Sequence, residues 1–90
     1  MEEFVLEFDK YSVGRTIKKL RNEKGISQEV LSGLAGLARS HIAMIESGAK
    51  QANFETLWKI AYAFDIAPHI LVEKIEYETA NAQNKTANCT

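Results

Sequence analysis

The stretch Arg21-Asn22-Glu23-Lys24-Gly25-Ile26-Ser27-Gln28-Glu29-Val30-Leu31-Ser32-Gly33-Leu34-Ala35-Gly36-Leu37-Ala38-Arg39-Ser40-His41-Ile42-Ala43-Met44-Ile45-Glu46-Ser47-Gly48 decides the fold. Ser27 is placed to cap a helix N-terminus, and Glu29 suits the positive end of its dipole. Val30, Leu31, Leu34 and Ala35 then recur at helical spacing as a buried stripe. Gly36 ends that helix, because glycine takes a left-handed conformation without steric cost. A second short helix runs from about Arg39 to Ser47 with Ile42 and Ile45 inward, and Gly48 closes it. Helices this short are marginal alone, so neighbours must hold them. Two of them joined by Gly36-Leu37-Ala38 make a helix-turn-helix, which leaves one face of its second helix free for a DNA major groove.

Toward the N-terminus, Phe8-Asp9-Lys10-Tyr11-Ser12-Val13 reads as a helix entry, with Asp9 as cap and Phe8 and Val13 as a hydrophobic staple. Val13, Ile17 and Leu20 follow at helical spacing, and Gly25 is the stop. Phe4, Leu6 and Phe8 alternate with Val5 and Glu7, so a short strand is the alternative for that extension. Toward the C-terminus, Asn53 caps a fourth helix whose apolar positions are Phe54, Leu57, Trp58, Ile60, Ala61 and Phe64. Asp65 stands in a turn, and Pro68 suits the first turn of a fifth helix carrying Ile70, Leu71, Val72 and Ile75. The expectation is an all-α, five-helix domain over 12–75, an N-terminal extension over 1–11, and a polar tail over 76–90 that is disordered from about 82.

A chain of 90 residues suits one domain, and 46% hydrophobic content supplies one core. No apolar run reaches the ~18–20 residues of a membrane span, and the acidic Met1-Glu2-Glu3-Phe4 is unlike a basic secretory leader. A cytoplasmic protein with no membrane partner is expected, which leaves the sequons Asn84-Lys85-Thr86 and Asn88-Cys89-Thr90 without a use. Cys89 has no disulfide partner, and with His41 and His69 it makes no ligand cluster. No metal, cofactor or small-molecule ligand is expected.

The net charge of −1 hides an uneven distribution. Residues 10–59 hold nine bases (Lys10, Arg15, Lys18, Lys19, Arg21, Lys24, Arg39, Lys50, Lys59) against four acids (Glu23, Glu29, Glu46, Glu55). A basic face for nucleic acid and a solvated mixed surface both fit this pattern. No nucleophile, base and orienting group come together, so an enzyme is not expected.

The run Arg21 to Leu31, followed by Gly36, Ile42, Ile45-Glu46-Ser47-Gly48 and Leu57 with Ile60-Ala61, closely resembles the phage Cro and lambda-repressor-like (XRE) family over roughly 12–72. The resemblance implies a lambda-repressor-like domain in a transcriptional regulator, a repressor or controller. Such a protein reads a palindromic double-stranded DNA operator as a homodimer. The resemblance also implies that Arg21 pairs with Glu46, that Gln28 contacts the DNA backbone, and that Arg39, Ser40 and Met44 reach bases with Ala43 close by. Arg39 can donate a bidentate pair to guanine O6 and N7, Met44 suits a thymine methyl, and Ser40 discriminates little. Ser27, Gln28, His41, Lys50 and Asn53 suit phosphate oxygens.

Ala38, Ala52, Ser32 and Ala67 depart from the family pattern, replacing a cap, a frequent proline, a small alanine and a second cap. Trp58 reads as core, and His69, Lys18 and Lys19 as solvated surface. The apolar excess of Ile70, Leu71, Val72 and Ile75 is the candidate dimer surface, with Phe4, Leu6 and Phe8 as the alternative. The alternative function is a protein-interaction module of the same fold, such as an antitoxin or partner-binding subunit.

Overall fold

Of the five helices among the described residues, three start where they do because a side chain accepts a hydrogen bond from the first turn. Asp9 accepts from the Tyr11 amide at 3.0 Å, Ser27 from Val30 at 3.1 Å and Asn53 from Thr56 at 2.7 Å. These caps open α1 (Lys10–Glu23), α2 (Gln28–Ala35) and α4 (Phe54–Ala63). By contrast, α3 (Arg39–Ser47) follows the uncapped Ala38, and α5 (Pro68–Ala82) has Pro68 in its first turn. The structure is a computed structural model that describes residues 6–83. Phe4, Cys89 and the tail from 84 lie outside the described residues. Among the described residues there is no strand, so Leu6 and Phe8 belong to none, and no helix is long and apolar enough to cross a membrane.

Helix α1 lies between α3 and α5, while α2 packs on α3 and α4, and α4 on α5. Ile17, Leu31, Ile42, Ile45, Ile60, Phe64 and Leu71 meet in the shared core and are fully buried. Burying a side chain of this size contributes about 1.5–3 kcal/mol. That is what holds α2 and α3, which are too short to persist alone. Gly36 turns the chain between them at φ 71, and the Leu37 amide closes the end of α2 on the Ser32 carbonyl at 2.9 Å. At Gly14 a Cβ would lie closer than 3.0 Å to the carbonyls of Ile45 and Glu46. Helices α1 and α3 therefore touch backbone to backbone at the end of α3.

Which apolar residues face inward differs from the sequence reading in several places. Val30 and Leu34 are exposed, and the inner face of α2 is Leu31, Ser32 and Ala35. Trp58 is 54% exposed and meets Phe54 edge to face on the surface, not in the core. Phe8 is 70% exposed, so no staple closes over Val13. Leu71 and Ile75 pack into the core, which leaves Val72 as the exposed large apolar residue of that group.

Helix α5 continues from 75 to Ala82, through the residues read as a polar tail. Thr79 and Ala80 are buried, and Glu78 accepts from Arg15 and Lys19 on α1. The N-terminal segment is tied to the end of α5. Gln83 Nε2 donates to the Glu7 carbonyl at 2.7 Å, and the Glu7 amide donates to Gln83 Oε1 at 3.3 Å.

Candidate nucleic-acid interface

The two sides of α3 differ in a way its sequence dictates. Ile42 and Ile45 are buried, whereas Arg39, Ser40 and Met44 are exposed and His41 and Ala43 are partly so. Residues three and four apart share a helix face, so Arg39, Ser40, Ala43 and Met44 form one outward strip. Ala38 accepts from the amides of His41 and Ile42 but offers no side-chain cap. The amides of Arg39 and Ser40 thus face an end of α3 where free N–H groups favour an anion. The Ser27 hydroxyl oxygen is engaged as a cap and retains its proton to donate, and Asn53 likewise retains its NH2 group. Lys50 is exposed just beyond α3, its amide donating to the Met44 carbonyl at 3.2 Å.

Behind the strip lies a chain of charged and polar hydrogen bonds. Arg21 Nε and Nη2 donate to Glu46 Oε2 and Oε1 at 2.8 and 3.1 Å, and Nη1 donates to the Ile26 carbonyl at 3.0 Å. The two side chains are only 12% and 4% exposed. The hydrogen bond to Glu46 raises the Arg21 guanidinium above its ordinary pKa, outweighing the lowering from burial. Gln28 Nε2 donates to Glu46 Oε1 at 3.0 Å, and Arg39 Nη1 donates to Gln28 Oε1 at 3.3 Å.

The residues singled out from sequence therefore fall into two groups. Arg21, Glu46, Gln28 and Arg39 form one connected network. Ser40, Ala43, Met44 and His41 share the surface of α3, while Ser27 and Asn53 cap α2 and α4 and Lys50 follows the end of α3. Sequence reasoning missed Gly14, whose bare backbone seats α3 against α1. Its signal was position, since it lies two turns before Arg21 on the same face of α1. It also missed Tyr11, whose ring occupies the space a Gly48 side chain would need, and Lys10, whose ammonium stands 5.4 Å from the centre of that ring.

The helix-turn-helix family model matches residues 17–71, a span from α1 into α5 that includes every member of the network. This chain belongs to the helix-turn-helix family. It is 32% identical over 68 residues to the HTH-type transcriptional regulator SinR of Bacillus subtilis strain 168, covering 74% of this chain and 60% of that protein. Against SinR of Bacillus licheniformis the identity is 35%, covering 73% of this chain and 61% of that protein. This helix-turn-helix chain thus spans about three fifths of the length of those regulators. The restriction-modification controller protein C.AhdI of Aeromonas hydrophila superposes with a TM-score of 0.67 at 38% identity, covering 70% of this chain and 96% of that one. C.Esp1396I bound to a 25 base pair operator site superposes with a TM-score of 0.72 at 29% identity, covering 80% and 95%.

Proposed function

We propose that this chain is a cytoplasmic transcriptional regulator, not a catalyst, that reads an operator by placing the outer face of α3 in the major groove. The observation that carries the reading is the outward strip of Arg39, Ser40, Ala43 and Met44, backed by an interior ion pair. Arg39 and Met44 would take bases, and Gln28, His41 and Lys50 with the helix starts at Ser27 and Asn53 would take phosphates. The operator bound by C.Esp1396I supports a DNA partner.

One recognition helix reads only a few base pairs, so the chain acts as a homodimer on palindromic half-sites about one turn apart. The 25 base pair operator held by C.Esp1396I is longer than one such helix can read, and this chain covers 95% of that protein. The second copy is assigned to the α4–α5 face of Phe54, Trp58, Pro68, His69 and Val72. That same aromatic face favours the second reading, an interaction module that does not discriminate among DNA sequences.

The test starts from duplexes selected by the full chain out of a randomised pool, titrated with single-base variants at two salt concentrations. Arg39→Ala should lose about 1–3 kcal/mol of preference at one base position. Lys50→Ala should weaken every duplex alike and reduce the salt dependence by about one ion. A wild-type protein that prefers no sequence at physiological salt overturns the regulator reading in favour of the interaction module.

A further inference from the structure

We infer that Glu46, although enclosed, sets base discrimination at Arg39 by fixing the amide of Gln28, so that Arg21, Glu46, Gln28 and Arg39 act as one positioning relay. The inference rests on the reading of Arg39 as a base-contacting residue. Arg21 holds the Glu46 carboxylate with two donors, and its third nitrogen is tied to the Ile26 carbonyl, so the carboxylate cannot swing. Glu46 Oε1 then accepts from Gln28 Nε2 at 3.0 Å.

The polarity of the partners leaves the amide one orientation. A carboxylate only accepts, so the NH2 of Gln28 must face Glu46. A guanidinium only donates, so the carbonyl oxygen must face Arg39, and Nη1 meets it at 3.3 Å. Turning the amide over would set oxygen against carboxylate and NH2 against guanidinium, losing both bonds at once. The Nη2–Nε edge of Arg39 has no hydrogen-bond partner among the described residues and is available as a fork for guanine O6 and N7. A long exposed side chain that would otherwise sample many rotamers is thus tethered in one region before DNA arrives. Ser40 and Met44 have no side-chain tether of this kind among the described residues, so the bases they meet are outside the relay.

The experiment uses the full chain, a duplex selected from a randomised pool, and its single-base variants. Gln28→Met keeps the side-chain length and the Arg21–Glu46 pair but removes both relay bonds. It should reduce preference at the Arg39 position about two- to tenfold, the range of one net hydrogen bond, beyond any uniform loss. In an Arg39→Ala background the same change should cause no further loss of preference. Glu46→Gln, assayed at a temperature where circular dichroism shows it folded, should lose preference at the same position. If it does not fold, Gln28→Met carries the test alone. Position-specific loss in Arg39→Ala with only uniform loss in Gln28→Met overturns the relay and leaves base reading by Arg39 intact. Uniform loss in Arg39→Ala overturns both.

Discussion

Helix α1 carries an ion-pair cluster on each of two faces, and their chemistry is alike while their surroundings are not. Toward α3, Arg21 and Glu46 meet through two parallel hydrogen bonds at 12% and 4% exposure. Toward α5, Arg15 and Lys19 both reach Glu78, at 3.1 and 3.2 Å, with side-chain exposures of 46%, 61% and 17%. Water screens the second cluster and is largely excluded from the first. The first therefore resists being broken, because either partner left alone is an enclosed charge. The second is replaceable, as exposed ion pairs usually are. The inner cluster holds the helix assigned to DNA, and the outer one holds the last turns of α5, beyond the Pro68, His69 and Val72 assigned to the second copy.

The sharpest break is Glu46→Ala, which strands Arg21. It should cost about 3–5 kcal/mol, much of the stability of a small domain, as read by chemical denaturation. A midpoint that barely moves would mean that Arg21 finds water or another acceptor and that the two clusters do not differ as described. Next is Gly14→Ala, which pushes a methyl group against the backbone of Ile45 and Glu46, where no flexible side chain can yield. About 1–3 kcal/mol should be lost as α3 is displaced from α1. Equal stability of the two proteins would show that the helices separate at little cost.

Glu78→Gln should change stability by less than about 1 kcal/mol, and salt should shrink the difference further. The pH dependence sharpens the comparison. Burial would raise the Glu78 carboxyl, but hydrogen bonds from Arg15 and Lys19, and their positive charge, outweigh it and hold the pKa below the ordinary 4.5. Asp9 is lowered as well, burial being outweighed by its bonds to Ser12 and Tyr11 and by the Arg15 charge. A carboxylate with a depressed folded-state pKa contributes stability that is complete above the unfolded value and lost as pH falls through the folded one. The melting temperature should therefore start to fall below about pH 4.5, and Glu78→Gln should flatten that fall. An identical acid limb in the variant would remove Glu78 from the account.

The helix starts were legible because each rests on one local residue. Asp9, Ser27 and Asn53 act within three positions of themselves, and Gly36 stands where the chain turns left-handed after α2. Facing was harder to read in α2 and α4. An eight-residue helix contains barely two turns, so Val30 and Leu34 look as internal as Leu31 and Ala35, and only packing against α3 and α4 separates them. The end of α5 was missed because its buried residues, Thr79 and Ala80, are small or polar and leave no hydrophobic signal. Of the candidate interface, the outward strip of α3 follows from helical period alone. The link from Glu46 through Gln28 to Arg39 joins residues 18 and 11 positions apart on two helices, and no local pattern encodes it.

Trp58 is the only tryptophan in the chain, and its position governs what light can report about this protein. Its indole is already half in water in the folded domain, so its emission should shift less when the core melts than that of a buried indole. Unfolding is better followed by the circular dichroism of the five helices. The same exposure makes Trp58 responsive to anything that covers the α4–α5 face, which lies away from the core. An emission shift to the blue with rising protein concentration, without DNA and without a change in helicity, would record that face leaving water as two copies meet.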